Sequence, residues 1–201
     1  MNEETAEVAF GRLAGEFMRT KVAPEADAFT FATLAGTTGI SKVSNGATLS
    51  TGADVMAALK VALDQMDEDE VPEEQRILFI TPTLLSSIKA LDTTKSRELL
   101  DAFSQIVKVP QSRFYTAIDL KDGTTSGEEA GGYSKASAGK DINFMIIHKP
   151  AVLKYNKHIA SNIITPDENQ NSDAWMQKYR KYGLVDAYEN KVAGIYLHHK
   201  A

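Results

Sequence analysis

The sequence predicts an α+β protein. Three observations support this prediction. Several stretches place apolar residues at helical spacing, two short runs have the composition of buried strands, and the helices and strands do not follow the regular spacing of a doubly wound sheet. With 201 residues, 43% of them hydrophobic, the chain can form one large domain or two small ones around a real core.

The first third of the chain is predicted to be mainly helical. Residues 3–35 carry two helical patterns, of which the second opens near Pro24 and stops at Gly36. A connector rich in turn residues follows. The stretch Thr51–Asp54 then has the form of a capping box, and it precedes a helix predicted over residues 54–66, whose apolar residues fall on one face.

Two buried strands are predicted in the middle of the chain, "RILFIT" (76–81) and "INFMIIH" (142–148). We expect both in one sheet that is covered by helix 54–66. Strand side chains alternate between faces, so one of two pairs must face that helix. The two pairs are Leu78 with Ile80, and Ile77 with a buried Phe79.

The remaining elements have less regular patterns. Residues 121–140 are rich in Gly, Ser and Thr, which predicts a long flexible loop or a hairpin. The other predicted elements are helices at 82–92, 96–106 and 172–183, strand or extended segments at 112–118 and 162–166, and two short strands around a turn within 184–199.

The composition excludes several classes of function. The absence of cysteine rules out disulfides, thiol catalysis and cysteine-based metal sites. The net charge of −5 does not favour a general affinity for nucleic acid. Residues 146–201 carry eight Lys/Arg and five Asp/Glu, a local charge of +3, which would suit contacts between copies. The sequence shows neither a signal peptide nor an apolar run of the ~18 residues that a membrane span needs, so no membrane partner is predicted.

Metal-ligand patterns are absent. The four histidines are His148, His158, His198 and His199, and they form neither H-x-x-x-H nor H-E-x-x-H. No carboxylate cluster supports a site beside them. We therefore predict no catalytic, cofactor-binding or metal-binding residue.

Other chemical motifs are incomplete. The serine stretches "GYSKA" (132–136) and "KASAG" (135–139) each miss one glycine of G-x-S-x-G, and "AGTTGI" (35–40) is not a phosphate-binding loop. The acidic run "DEDE" (67–70) is expected to be a solvated helix end.

The run "KYRKYG" (178–183) mixes bases with aromatic residues, a combination that can contact nucleic acid. On the predicted helix 172–183, however, three aromatic residues would form one packing face with two lysines beside it. These are Trp175, Tyr179 and Tyr182, with Lys178 and Lys181. Polar-tipped aromatics suit interfaces, so the residues alone favour a structural or assembly role.

Several stretches together resemble the major capsid (coat) proteins of tailed bacteriophages and related prophages. They include "VAPEADAFTFATLAG", "LFITPTLLSSIKAL", "KDINFMIIHKPAVLKYNKH" and "NIITPDENQNSDAWMQKYRKYGLVDAYENKVAGIYLH". The resemblance covers residues 3 to 199 and rests on the order and number of these stretches. It implies a Hong Kong 97-type fold with a peripheral-type domain, made of a long helix plus strands, and an axial-type domain, made of a central sheet with helices.

The resemblance also implies a domain organisation. Residues 1–48 would be the first part of the peripheral-type domain, residues 49–154 the axial-type domain, and residues 155–201 the return segment. Residues 3–35 would then pack against residues 184–199, with His198 and His199 at a frayed end. Compared with this family, the chain is expected to be a truncated form without the N-terminal arm and extended loop.

The implied function is that of a structural subunit of an icosahedral phage or prophage capsid, made in the bacterial cytoplasm and assembled into the virion. Partners would be other copies, in hexamers and pentamers, with scaffold or portal proteins and non-specifically packaged DNA. Two alternatives stay open: an encapsulin-type host shell protein, and an enzyme with an unrecognised site. Without the arm and loop, the chain is expected to be a monomer or low oligomer in dilute solution.

Overall fold

A computed structural model describes the backbone of residues 3–201 and the side chains from Val8 onward. The chain forms two compact units. Unit 1 comprises the residues up to Ala23 together with Lys154–Val185, and unit 2 comprises Pro24–Leu153 together with Asp186–Ala201. The mixture of helices and sheets confirms the α+β class.

The chain begins with two α-helices joined by a single π-helical stretch. Helix α1 (Glu3–Phe17) continues through Met18–Val22, which is π-helical, into α2 (Ala23–Ala35). Pro24 has no N–H to donate and its ring crowds the preceding turn, so the chain widens there, and Ala23 N–H bonds to the carbonyl of Met18. The predicted helical character of residues 3–35 is confirmed.

Three further helices lie in unit 2. Helix α3 (Gly52–Glu68) begins with the predicted capping box, in which Thr51 and Asp54 exchange side chain-to-backbone hydrogen bonds of 2.9 and 3.2 Å. Helices α4 (Pro82–Lys89) and α5 (Thr94–Asp101) follow. The helix predicted over 96–106 was therefore too long, because its last residues form a strand instead.

Across residues 3–201, nine strands form three sheets. Their bounds are β1 (Ser41–Lys42), β2 (Arg76–Ile80), β3 (Gln105–Lys108), β4 (Ile118–Lys121), β5 (Gly132–Lys135), β6 (Ile142–His148), β7 (Val152–Ile164), β8 (Met176–Ala187) and β9 (Ile195–His199). The five-stranded central sheet has the order β1-β9-β6-β2-β3, while β4 pairs with β5 and β7 pairs with β8. The segment predicted as a loop or hairpin at 121–140 is thus largely a hairpin.

The central sheet confirms the prediction that the two buried strands lie in one sheet. Strands β2 and β6 are antiparallel neighbours, with Leu78 opposite Ile146 and Ile80 opposite Phe144. Strand β9 pairs antiparallel with β6 on its other side. The outer strands β1 and β3 run parallel to β9 and β2, respectively.

Helices cover one face of this sheet, as predicted for 54–66. Leu78 and Ile80, rather than Ile77 and Phe79, share the buried cluster with the apolar face of α3. The α3 members of this cluster are Val55, Leu59, Ala62 and Met66. Burying four such side chains against a sheet is the main source of stability for this helix.

The opposite face of the sheet packs on α2. Phe31 contacts Phe79 edge-to-face with 5.3 Å between ring centres, and it contacts Phe114 in the same way at 4.7 Å. Phe79 therefore lies on the α2 side of the sheet, where it is only partly buried. The alternation of β2 thus places its residues in two different cores.

Two predicted elements were wrong. Residues 112–118 are mostly a 3-10 turn (Gln111–Arg113) and irregular backbone rather than a strand. Residues 176–183 of the helix predicted over 172–183 belong to β8, and residues 172–175 are irregular. The aromatic residues at spacings of three and four suggested a helical face, but pairing with β7 decides the conformation.

The end of the chain is tightly held, so the predicted frayed end at His198 was wrong. Strand β9 lies inside the central sheet, and the backbone N–H groups of Val43 and Ala47 bond to the carbonyls of Leu197 and His199 at 3.2 and 3.0 Å. His198 is 4% exposed. Only His199 and the residues after it are partly open to solvent.

The two units divide the chain differently from the predicted boundaries after residues 48 and 154. Residues 24–48 and 186–201 fall in the unit that contains the central sheet. The segments 3–35 and 184–199 are each split between the units, and their packing against each other remains a prediction.

Candidate interaction surface

The β7–β8 ribbon of unit 1 presents one face with exposed apolar residues. A methyl group placed on Gly183 would lie 3.1 Å from Asn156 Oδ1, so these two positions share a face. Because strand residues alternate, the odd-numbered residues of β7 and the even-numbered residues of β8 lie on the other face. We call the part of this second surface that lies in unit 1 the ribbon face; its exposed members are Tyr155, Lys157, Ile159, Ser161, Lys178, Arg180, Tyr182 and Leu184.

The apolar members of the ribbon face are unusually open to solvent. Tyr155, Ile159, Tyr182 and Leu184 are 60, 55, 57 and 52% exposed. Single exposed apolar residues are common on protein surfaces, but a contiguous group rimmed by polar residues is typical of interaction sites. The arrangement therefore favours a protein contact on this face.

The charged members of the ribbon face, which is confined to unit 1, are all cations; the exposed acid Asp186, near the end of β8, belongs to unit 2. Lys157, Lys178 and Arg180 lie on it, and neither strand contributes an acid to it within unit 1. The Arg180 guanidinium lies 5.9 Å from the centre of the Tyr182 ring. Arginine and tyrosine side by side, with aliphatic neighbours, are the residue types enriched in the centres of protein interfaces.

The other face of β8 is partly covered. Gln177, Tyr179 and Lys181 alternate with the exposed cations and are half-buried. Trp175, just before β8, stacks on Phe10 of α1 with 5.7 Å between ring centres. The sequence interpretation of one face shared by Trp175, Tyr179 and Tyr182 was therefore wrong, because Tyr182 points away from Tyr179 on a strand.

The second charged surface lies in unit 2 and carries the opposite charge. Residues 64–74, which we call the acidic segment, contain seven Asp or Glu and no Lys or Arg, and all seven acids are exposed. Asp67 bonds to the buried Arg76 at 2.7 Å, and Asp69 accepts hydrogen bonds from Ser41 and Gln65 at 3.0 and 3.1 Å. The "DEDE" run is therefore exposed, as expected, but fixed in place.

The four histidines do not converge. His158 is exposed on β7, whereas His148 and His198 lie on β6 and β9 and His199 ends β9. His198 stands opposite Phe144, four residues from His148 along β6, a separation of about 13 Å along the strand. Within residues 3–201, no group of three or more side chains could hold a metal ion.

Two histidines have a lowered pKa. Burial is the main cause at both. It lowers the pKa of His198 to about 4, and the neighbouring His199 adds to the effect. Burial and the nearby Arg76 and Lys191 lower the pKa of His148. Both imidazoles are therefore neutral at pH 7, which suits a structural role.

The remaining sequence candidates have structural positions. Ser134 is exposed on β5 and Ser137 lies in the turn after it, so neither occupies a strand-to-helix elbow. In "AGTTGI", the Gly36 N–H bonds to the carbonyl of Ala32 at 3.0 Å and ends α2, and the chain then turns at Gly39. In the described part of the chain, no helix is long and apolar enough to cross a membrane.

Comparisons with known proteins show the fold. No protein-family model matches the sequence, and no curated protein matches it either. A solved chain from Mycobacterium phage Che8 matches 88% of this chain at 12% identity with a TM-score of 0.53. A chain in the capsid structure of the cyanophage P-SCSP1u matches 100% of it at 16% identity with a TM-score of 0.55.

The chain spans 58% and 66% of the lengths of these two solved chains. At such low identity the likeness establishes the fold and nothing finer. The chain thus has an α+β fold like that of these phage capsid structures.

Proposed function

We propose that this protein is a structural capsid subunit of the Hong Kong 97 type, which acts through contacts between copies of itself. The observation that carries the proposal is the fold match over the whole chain to a cyanophage capsid structure. The sequence resemblance to tailed-phage coat proteins supports the same subtype independently of the fold comparison.

The two units support this subtype. Unit 1 combines a long helix with a two-stranded ribbon, which is the composition expected of a peripheral-type domain. Unit 2 combines a central sheet with helices on both faces, as expected of an axial-type domain. We therefore assign the peripheral-type domain to residues up to 23 and 154–185, and the axial-type domain to the rest.

On this proposal the partners are other copies, arranged in hexamers and pentamers, and the site of action is the virion capsid. Scaffold and portal proteins would be further partners, and packaged DNA would be contacted without sequence specificity. Synthesis would take place in the bacterial host cytoplasm. No residue is assigned a catalytic, cofactor-binding or metal-binding role.

Electron microscopy tests the proposal directly. The protein, expressed with any flanking sequence its gene encodes and with or without its scaffold, should form closed particles of uniform diameter. Sedimentation of the 201-residue chain at rising concentration should show reversible association. A protein that stays a single monomeric species at every concentration and forms no particles would overturn the proposal.

A further inference from the structure

The ribbon face has two properties that together require a partner. Four apolar side chains, each more than half exposed, lie beside three cations. None of the ion pairs in the described part of the chain engages Lys157, Lys178 or Arg180. A partner that suits this face must bring acids for the cations and apolar atoms for the tyrosines and aliphatic residues.

Unit 1 supplies a second reason for a partner on this face. None of the described side chains in residues 8–23 and 154–185 is fully buried. A unit with so little buried apolar surface gains little stability from its own packing. A partner that covers the ribbon face would bury apolar surface of unit 1, and this would add stability that the unit does not obtain from its own packing.

The acidic segment has the matching chemistry. The ion pairs in the described residues leave Glu68, Glu70, Glu73 and Glu74 without a cation. Apolar atoms lie beside these acids, since Val61 is 59% exposed one turn before Asp64, and Pro72 is exposed within the segment.

The acidic segment is also held in a fixed shape. Arg76 is 2% exposed, and its guanidinium bonds to the Asp67 carboxylate and to the carbonyls of Val71 and Pro72. The Val71 N–H bonds to the carbonyl of Met66 at 2.9 Å. A surface that is already ordered loses little conformational entropy when it binds.

We propose that the ribbon face of one copy docks on the acidic segment of a neighbouring copy. This proposed contact rests on the proposed function in one respect, which is that copies of the chain associate with each other. The two surfaces are different parts of one chain, so the contact is heterologous: it repeats from copy to copy, as rings and shells require. Ile159 and Leu184 have nothing to offer phosphate groups, which favours a protein partner over nucleic acid.

Zero-length cross-linking tests the contact at residue level. A carbodiimide joins a lysine amine to a carboxylate only when the two touch. We would mix ¹⁴N and ¹⁵N copies and look by mass spectrometry for mixed-isotope links. Lys157 or Lys178 should link to Glu68, Glu70, Glu73 or Glu74. Intermolecular links that form elsewhere but never between these two surfaces would overturn the proposal.

Charge reversal with rescue tests its energetics. Two double variants each reverse the charge of one surface: Lys157→Glu with Arg180→Glu on the ribbon face, and Glu68→Lys with Glu73→Lys on the acidic segment. Each double variant should weaken self-association about tenfold or more in sedimentation experiments. Raising the salt concentration should also weaken the self-association of the wild type. An equimolar mixture of the two variants should recover association, because one ribbon face again meets a segment of opposite charge. The matched control is Lys89→Glu/Lys95→Glu, which reverses two exposed cations elsewhere and should leave association unchanged.

The outcomes separate this contact from the proposed function. If the wild type associates and both reversals associate equally well, or if the mixture shows no rescue, the contact is wrong while the capsid proposal stands. If the ribbon variant associates normally but loses binding to a single-stranded DNA 30-mer, the face is a nucleic-acid surface and the contact is again wrong. A wild type that stays monomeric at every concentration and forms no particles, even with its flanking sequence and scaffold, would overturn the proposed function itself.

Discussion

At the scale of single residues, two buried polar side chains organise unit 2. Arg76 joins the acidic segment to β2 through Asp67 and two backbone carbonyls. His198 sits in the central sheet and stacks on Phe144 with 4.9 Å between ring centres. A buried polar group is stabilising only when it finds hydrogen-bond partners; the Arg76 guanidinium has three acceptors, and the His198 Nδ1 atom bonds to Asn143.

Replacing Arg76 should destabilise the protein strongly. Arg76→Ala leaves the carbonyls of Val71 and Pro72 without their donor and removes a buried side chain, so the free energy of unfolding should fall by about 2–4 kcal/mol. Arg97→Ala is the control, since both members of its ion pair with Asp92 are exposed, and it should change stability by less than about 0.5 kcal/mol. Urea denaturation measures both, and equal effects would contradict the role given to Arg76.

Acid should weaken the fold through His198. The Asn143 Nδ2 group donates to the His198 Nδ1 atom at 3.0 Å and to the carbonyl of Ala47 at 2.8 Å. An amide nitrogen can only donate, so Nδ1 must accept and the imidazole must be neutral. Protonation would break this bond inside the sheet.

The pH dependence has a definite sign. The lowered pKa means that the unfolded chain takes up a proton before the folded protein does. The His198 contribution is therefore complete above about pH 6.5 and is lost as the pH falls towards about 4, by at most ~1.4 kcal/mol per pH unit. His198→Gln should flatten the unfolding free energy over this range relative to the wild type. Parallel pH profiles would show that His198 does not titrate in this way.

At the scale of elements, the close approach of two helices in unit 2 depends on a glycine. An added methyl group on Gly52 would lie 2.9 Å from the Ser87 carbonyl carbon and 3.0 Å from Leu91 Cγ. The start of α3 can therefore reach α4 only without a side chain. This contact keeps the apolar face of α3 over Leu78 and Ile80.

Gly52→Ala should force the two helices apart and lower the unfolding free energy by about 1–3 kcal/mol. The control is Gly15→Ala in α1, where no atom lies within 4 Å of the added methyl group apart from the neighbouring residues and backbone of the helix itself. That change should be neutral or stabilise by up to about 1 kcal/mol, because alanine favours a helix. Thermal denaturation distinguishes them, and a Gly52→Ala variant as stable as the wild type would contradict the close contact.

At the scale of the whole molecule, the two units should differ in stability. Unit 2 contains the buried cluster between α3 and the central sheet, whereas the described side chains of unit 1 include none that is fully buried. Local stability follows buried apolar contact, so unit 1 should open at a lower free energy.

Hydrogen exchange and fluorescence can check this difference. The amides of β7 and β8 should exchange well before those of β2, β6 and β9.

Trp175, the only tryptophan, lies in unit 1 and should report a transition at a lower denaturant concentration than far-UV circular dichroism does. A single coincident transition with uniform protection would show that the units unfold together. Self-association should raise the protection of β7 and β8 if the ribbon face is covered.

The elements with local signals could be predicted from the amino-acid sequence. The α3 capping box, the helices around Pro24, and the strands at 76–80 and 142–148 follow from side chains that act within a few residues. The order of several stretches along the chain also carried the resemblance to phage coat proteins, and the capsid-like fold agrees with it.

The other features could not be predicted in this way, because they depend on pairing between segments that are distant in the chain. Residues 176–187 have a pattern that suits either a helix or a strand, and β7 selects the strand. That choice moves Tyr182 away from Tyr179 and creates the ribbon face, which no helical pattern predicts. His198 is likewise buried because β6 and β1 flank β9, a long-range pairing that the sequence near the chain end does not encode.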